Sequence, residues 1–326
     1  MKPLNQNLVA ITEILSDGQY HDGTSIGKRL NITRAAVWKL IKKLEQYAVP
    51  LTSVKGKGYR LESPCILLTP DKIKAKLRHR LSRLDIVEKI DSTNDYLKPF
   101  AAQNQSIITC IAETQTQGKG RLHRQWHSPF AENIYLSMCC PFEKDIGELS
   151  GLSLVVSLAI CDAIESAINL KAQTLKVKWP NDVLIDYHKL AGVLIEIQAE
   201  SNGFCQVIIG AGINVNMNKV LAQNIGQAWS SLAKITGNYI DRNHLSAAII
   251  DTLIDYLERF SSKGLAYFTS AWQKRDCLAK RAISVLSGNK KIAGTCIGIN
   301  EQGQLLLKTK QNKVLSLSSG DTTLLK

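Results

Sequence analysis

The sequence predicts an α+β multidomain protein. Three observations carry that expectation. The chain has 326 residues, room for two or three domains of ordinary size. Positive charge gathers at its front: residues 1–60 hold ten basic side chains (Lys2, Lys28, Arg29, Arg34, Lys39, Lys42, Lys43, Lys55, Lys57, Arg60) against four acidic ones (Glu13, Asp17, Asp22, Glu45). Further on, strand-like runs lie side by side while helical patterns stand apart. That suits a mixed or antiparallel sheet with helices on one side, and not a doubly wound fold.

The 44% hydrophobic and 21% charged composition is that of a globular protein and excludes general disorder. A net charge of +13 favours an anionic partner: nucleic acid, phosphate or an acidic protein. No apolar run follows Met1-Lys2-Pro3-Leu4, so no signal peptide is expected. The most apolar stretch, Leu149–Ile168, is broken by Ser150, Ser153, Ser157, Asp162 and Glu165; it reads as a buried helix, and no membrane partner is expected. The eight cysteines contain no CxxC pair, which fits free thiols and a cytoplasmic location.

Leu8, Ile11, Ile14 and Leu15 recur at helical spacing and predict a first helix, stopped by Asp17-Gly18. A second covers about 24–30. Asn31-Ile32 is a tight turn, and asparagine tolerates a left-handed backbone. Thr33 then caps a third helix, Arg34 to about Tyr47, whose apolar stripe is Val37, Leu40, Ile41 and Leu44. Leu51–Val54 and Tyr59–Leu61, on either side of Gly56-Lys57-Gly58, predict a hairpin, and Ser63-Pro64 closes the unit. Three helices with a short turn before the last, followed by a hairpin, describe a winged helix-turn-helix over residues 1–64. Arg34, Trp38 and Lys42 recur every fourth residue opposite the apolar stripe. Such a stripe fits a DNA major groove, with Lys55 and Lys57 on the wing reaching phosphates. The expected DNA-contacting set is Thr33, Arg34, Trp38, Lys39, Lys42, Lys55 and Lys57; the plain alternative is a solvated basic face. Asp71–Arg83, with six basic residues and one acid, reads equally as a phosphate-facing helix or a connecting one.

Residues 65–271 are expected to form a second domain. Strand-like runs occupy 107–112, 134–139, 175–179, 183–185, 192–199 and 204–209, with a hairpin turn at Ser201-Asn202-Gly203. Helical patterns cover 151–168 and 244–260. Residues 272–326 are short strands and turns and predict a small β-barrel.

Chemistry concentrates in the central loops. Asp91-Ser92-Thr93-Asn94 fits a polar ligand or, more simply, a helix cap. Gln115–Trp126 contains Gly118-Lys119-Gly120-Arg121, where glycines admit a phosphate and cations neutralise it. No Ser or Thr follows Lys119, so this is no Walker A loop. Lys178-Trp179-Pro180-Asn181-Asp182 and Lys189-Leu190-Ala191-Gly192 offer cations, an amide and a carboxylate to a nucleotide phosphate with magnesium; the bland reading is a hairpin with a buried tryptophan. Gly210-Ala211-Gly212-Ile213-Asn214 reads as a flat backbone wall or a tight bend. His123 and His127 lack the sequence context of a zinc site. Neither a G-x-S-x-G elbow nor a dinucleotide fingerprint occurs.

These five clusters, in this order, resemble the biotin–protein ligase family. The likeness extends over essentially the whole chain, including the DNA-binding unit that the family's bifunctional members carry. It implies a class II synthetase-like biotin/lipoate ligase fold and an SH3-like C-terminal barrel. It implies activation of biotin with ATP to biotinyl-5′-AMP, with Mg²⁺, and transfer of biotin to one lysine of the biotin carboxyl carrier protein of acetyl-CoA carboxylase. By the same resemblance Ser92, Thr93, Asn94, Gln115, Lys119, Gly120, Arg121 and Lys189 hold biotin. Lys178, Asn181, Asp182, Asn214 and Trp229 hold ATP, with Asp182 toward Mg²⁺; Arg121, Lys189 and Lys178 are the implied catalytic set. Loops near 118–126 and 218–230 close over the adenylate, and an adenylate-bound homodimer represses transcription at operator DNA. The chain departs from the family at Lys119, where arginine is common, and at Asn31, His123 and Ala131, where glycine is common. Two other readings stay open: a lipoate-type ligase, and a ligand-sensing transcription factor without ligase activity.

Overall fold

The computed structural model describes residues 4–101, 106–171, 173–200, 204–218, 225–288 and 290–325. The expected turn at 201–203, part of the expected closing loop (219–224) and Asn289 lie outside them.

Three helices open the chain: α1 (Gln6–Leu15), α2 (Gly23–Leu30) and α3 (Arg34–Gln46). Each has its predicted cause. The Asn5 and Asp22 side chains cap α1 and α2, and the Thr33 hydroxyl accepts the Ala36 amide at 3.1 Å to cap α3. Asn31 ends α2 in the left-handed region (φ 52°). The hairpin of β1 (Leu51–Val54) and β2 (Gly58–Leu61) returns as a wing. Only glycine fits at 58, where a Cβ would stand 2.1 Å from the His21 carbonyl oxygen. The core of this unit is completed from outside it, by Leu67, Phe130 and Ala131. Tyr47, just past α3, stacks on Phe130 at 4.1 Å and donates its hydroxyl to Glu88 at 2.7 Å.

The connection to the second unit is pinned along its length. Arg242 and Glu113 form an ion pair (2.7 Å) with no solvent exposure. Glu113 also accepts the Leu68 amide, and Arg242 donates to the Ile66 carbonyl. Tyr239 and Asn243 take the amides of Ile66 and Thr69. Next comes α4 (Pro70–Lys74), five residues long. The helix or connector expected over 71–83 is therefore mostly loop, because Asp251 captures the Arg78 and His79 amides. Nor does this stretch present a free row of cations: Lys72 pairs with Glu13, Arg78 with Asp255 and Arg83 with Asp85.

The central sheet takes β3 (Arg83–Val87), β4 (Ile108–Ala112), β5 (Ile134–Phe142), β6 (Lys176–Lys178), β7 (Asp182–Ile185), β8 (His188–Glu200) and β9 (Phe204–Ile213) in the order β3-β4-β5-β9-β8-β7-β6. Only β3 and β4 are parallel, so the sheet is mixed. Its helices cover both faces rather than one. The long α6 (Leu152–Ala167) and α8 (Arg242–Lys263) pack on one side, while α5 (Thr93–Ala101) packs on the other through Leu97 and Ala101 against Cys110, Cys139 and Ile208. Ile146–Ala167 is the one described stretch long and apolar enough to cross a membrane by length and composition. It is broken at Ser150-Gly151, and most of α6 is buried in this core.

Helices α7 (Leu232–Thr236) and α9 (Thr269–Arg275) flank α8. The C-terminal region is an antiparallel sheet of β10 (Ala282–Ser287), β11 (Lys290–Ile299), β12 (Leu305–Lys308), β13 (Val314–Leu317) and β14 (Asp321–Leu324), ordered β13-β12-β11-β10-β14. Its edges β13 and β14 do not pair among the described residues, so a closed barrel is not formed there. Trp179 ties it to the centre by donating its ring N–H to the Gly303 carbonyl at 3.0 Å. All eight cysteines are free and buried.

Candidate active site

The site lies on the α5 face of the central sheet, where the strands run out of side chains. Toward α5, β9 presents Ile208, then Gly210 and Gly212; opposite them β5 presents Cys139, Ser137 and Tyr135. On the other flank β8 presents Glu196, Leu194 and Gly192. Ile208 and Cys139 still pack as core. At the glycines the floor drops, leaving a cavity of about 1030 Å³. A Cβ at 210 would stand 2.3 Å from Asn94 Oδ1, and one at 212 would stand 2.4 Å from the Trp126 ring. The flat-wall reading of Gly210–Asn214 is thus met.

One end of the cavity is neutral and already hydrogen-bonded. Ser92, Thr93 and Asn94 are buried at the start of α5. The Thr93 amide (2.8 Å) and hydroxyl (3.1 Å) both donate to Gln115 Oε1. Ser137 Oγ lies 2.7 Å from Thr93 Oγ1 and 2.6 Å from Asn94 Oδ1, while Asn94 Nδ2 donates to Glu196 at 2.8 Å. Lys119 and Lys98 both pair with Asp95, at 2.6 and 2.7 Å. Burial raises the Asp95 carboxyl, but these two lysines outweigh it and hold its pKa below the usual range.

The other end is cationic. Arg121 donates to Asn181 Oδ1 (3.3 Å) and the Gly320 carbonyl (3.4 Å). Burial lowers its pKa, against the pull of Asp321 and Asp182. Lys189 Nζ lies 2.8 Å from Asp182 and 5.3 Å from the centre of the Trp126 ring. Asn181 is fixed by donating to the Val193 carbonyl at 2.6 Å. Asn214 uses its amide on the Lys189 and Ser230 carbonyls, which seats Trp229 beside β8.

Of the expected biotin and ATP residues, all but Lys178 line this cavity. Lys178 stands directly opposite Asp182 in the β6–β7 hairpin, next to the cavity rather than in its lining. Four participants escaped the sequence reading as site residues: Trp126, whose ring lies on Gly192 and Gly212, Ser137, Glu196 and Asp321. The Gly-x-Gly alternation at 210–212 was the available signal for the first two. Nothing local marks Glu196 or Asp321. At the three glycine-like departures the backbone is left-handed: Asn31 (φ 52°), His123 (φ 59°) and Ala131 (φ 60°). The left-handed geometry persists without glycine: asparagine tolerates it at 31, while at His123 and Ala131 it costs roughly 1 kcal/mol or more each.

Among the described residues no group of three or more His, Cys, Asp or Glu gathers as a metal site. Asp182 and Asp321 reach the cavity from separate strands. One or two carboxylates suffice for Mg²⁺ that arrives with phosphates, so this donor set fits that ion.

The DNA-type surface is separate. Arg34, Trp38, Lys39 and Lys42 are exposed along α3, and Lys55 and Lys57 are exposed on the wing. The Thr33 hydroxyl is engaged as the cap. Tyr20, unremarked in the sequence, lies under Arg60 (4.8 Å) and Lys57 (5.9 Å) and supports the wing.

Comparison with known proteins agrees with this layout. Residues 86–214 match the biotin/lipoate A/B protein ligase family, and residues 8–60 match an HTH domain. The chain is 38% identical over 300 residues to the bifunctional ligase/repressor BirA of Salmonella typhimurium, covering 92% of each chain. It is also 38% identical to the Escherichia coli protein of that name over 295 residues, covering 90% of each. Among solved structures, the Aquifex aeolicus biotin protein ligase in complex with biotin and ATP superposes with a TM-score of 0.61 at 26% identity, over 76% of this chain and all of that one.

Proposed function

The chain belongs to the bifunctional ligase/repressor family, and from that premise we propose that it activates biotin with ATP and transfers it to a lysine of a biotin carboxyl carrier protein. One observation carries this reading: Arg121 and Lys189, far apart in sequence, meet at a cavity whose glycine floor leads to Ser92, Thr93 and Asn94.

Two anions must meet in the first step. A biotin carboxylate oxygen attacks the α-phosphorus of ATP, an O–P bond forms, and pyrophosphate leaves. No nucleophilic side chain is required; cations and fixed geometry are. Lys189 sits where carboxylate and α-phosphate approach, and Arg121 takes phosphate oxygens. Asn181 positions Arg121. Lys178, opposite Asp182 across the β6–β7 hairpin, adds a further cation on the side of the ATP phosphates. Mg²⁺ would be held by Asp182 with the phosphates and would neutralise their charge. Trp229 offers a face for the purine. The Thr93, Asn94 and Gln115 polar groups and the Lys119–Arg121 backbone take biotin, and the glycine-flanked loop shields the mixed anhydride from water. In the second step the acceptor lysine amine attacks the biotinyl carbonyl, an amide forms, and AMP leaves.

The winged helix-turn-helix serves repression of biotin-synthesis genes, with the adenylate-bound chain pairing as a homodimer on operator DNA. The reading includes domain limits at 64/65 and 271/272, an SH3-like character for the C-terminal sheet, and a cytoplasmic location, in keeping with eight free thiols. Biotin-dependent exchange of pyrophosphate into ATP tests it. Exchange with biotin and not lipoate is expected; exchange with lipoate alone, or ligand binding without exchange, overturns it.

A further inference from the structure

A chain of alternating charges joins the glycine-flanked loop to the neutral end of the cavity, and most of it stands outside the cavity lining. Residues 118–126 fold into a small hairpin of their own: the Gly120 amide donates to the Arg124 carbonyl at 2.7 Å, and the Trp126 amide donates to the Gly118 carbonyl at 2.8 Å. This hairpin carries Arg121 and Trp126 into the cavity as one piece. At its base Lys119 reaches back to Asp95, in the first turn of α5, at 2.6 Å. Asp95 also pairs with Lys98 one turn on (2.7 Å), and Lys98 pairs with Glu196 on β8 (2.8 Å). Glu196 in turn accepts the Asn94 side-chain amide at 2.8 Å. Neither Asp95, Lys98 nor Glu196 lines the cavity.

The last link decides an orientation. An ionised carboxylate only accepts hydrogen bonds, so the Asn94 atom that meets Glu196 is Nδ2. Oδ1 is then left to face Ser137 Oγ (2.6 Å) and the space above Gly210. Lys98 holds Glu196 in place, and its hydrogen bonds to Asp95 and Glu196 raise its own pKa above the usual lysine range. An acid in the first turn of a helix stabilises the helix start by itself. That use of Asp95 requires neither lysine. A lone ion pair at a surface contributes little, but here each inner member, Asp95 and Lys98, holds two partners.

We propose that Asp95 and Lys98 are positioning residues: acting in line with Glu196, they hold the glycine-flanked loop down on α5 and fix the Asn94 amide, so that closing the loop and binding biotin are coupled. The proposal rests on the ligase reading above. Its effect falls on capture and retention and not on the chemical step, because the cations that meet phosphate are held by other groups, Arg121 by Asn181 and Lys189 by Asp182. Loss of Asp95 frees the loop at its base. Loss of Lys98 leaves the Lys119–Asp95 pair standing and acts through Glu196 on Asn94. By either route biotin binds less tightly and the adenylate escapes sooner.

Full-length Asp95→Asn and Lys98→Met chains test this by biotin-dependent pyrophosphate exchange and by the rate at which preformed biotinyl-adenylate leaves the protein. In each variant biotin KM should rise roughly three- to tenfold, and release should quicken by a similar factor. The ATP KM and kcat should stay as in the wild type. Added salt should move the wild-type biotin KM toward that of Asp95→Asn and move the variant's little. Lys98→Arg keeps the charge and should recover most of the loss. Glu196→Gln can still accept the Asn94 amide and should raise KM less than Glu196→Leu. An unchanged biotin KM and release rate in both variants overturn this proposal and leave the ligase reading standing. So does a fall in kcat with KM unmoved, or a rise in KM that neither salt imitates nor Lys98→Arg recovers, since either marks a merely structural role. No biotin-dependent exchange by the wild-type chain overturns the ligase reading and this proposal with it.

Discussion

The cavity and the recognition helix are both rich in polar side chains, and they use them in opposite ways. In the cavity nearly every polar atom is already held: Thr93 by Gln115, Asn94 by Glu196, Lys189 by Asp182, Asn181 by the Val193 carbonyl. On α3 and the wing, Arg34, Lys39, Lys55 and Lys57 project into solvent with no ion pair among the described residues. The difference follows from what each surface meets. A small substrate undergoing chemistry needs groups fixed within fractions of an ångström. A phosphate backbone is met by charge first, and mobile cations serve that well.

If prior fixation defines the cavity, single losses there should be severe. Lys189→Ala should lower biotin-dependent pyrophosphate exchange by about 10²–10³, measured with saturating ATP. Gly210→Ala forces a methyl group onto Asn94 Oδ1, so the Asn94–Ser137–Thr93 set must shift. Its biotin KM should rise about tenfold or more, as one or two hydrogen bonds of ~1 kcal/mol are lost; an unchanged KM would show that the set is adaptable after all. On the other surface the loss should be graded and salt-dependent. Lys39→Ala with Lys57→Ala should reduce the log–log salt slope of operator binding by about 0.9 for each phosphate contact removed, leaving exchange intact. An unaltered slope would mean that these lysines do not meet phosphate.

The smallest expected effect is on stability. Burial raises the Glu132 carboxyl to about 7, partly opposed by Arg242. A carboxyl with a raised folded pKa binds its proton more tightly in the native state. Its contribution to stability is complete below the ordinary carboxylate pKa and is lost as pH climbs toward 7. Glu132→Gln should therefore raise Tm at pH 8 by a few degrees, ~2–4 °C per kcal/mol recovered, and change little at pH 4. Equal shifts at both pH values would sink the assignment.

How much of this was legible in the sequence divides along the same line. The winged helix-turn-helix is built from local signals (an apolar stripe, Thr33 as cap, Asn31 as turn, glycines in the wing), and all of them took effect where they were read. The central site was visible as clusters, because its glycines and cations sit in short runs. Its assembly was not. Register pairs Ser137 with Gly210 and Gly192 with Gly212, contacts that no periodicity contains. Strand β3 was missed because Arg83-Leu84-Asp85-Ile86-Val87 follows directly on a basic stretch that resembles a helix.

The buried Arg242–Glu113 pair has a mechanical corollary. Removing either partner would strand a charge away from water, a penalty of about 3–5 kcal/mol, so residues 66–68 are clamped to the catalytic body rather than strung from it. The DNA-reading unit is thus a fixed bracket and not a tethered flag. In the proposed homodimer, the distance and angle between the two recognition helices would be inherited from how the catalytic bodies abut, and the spacing of operator half-sites would become a measurement of that abutment.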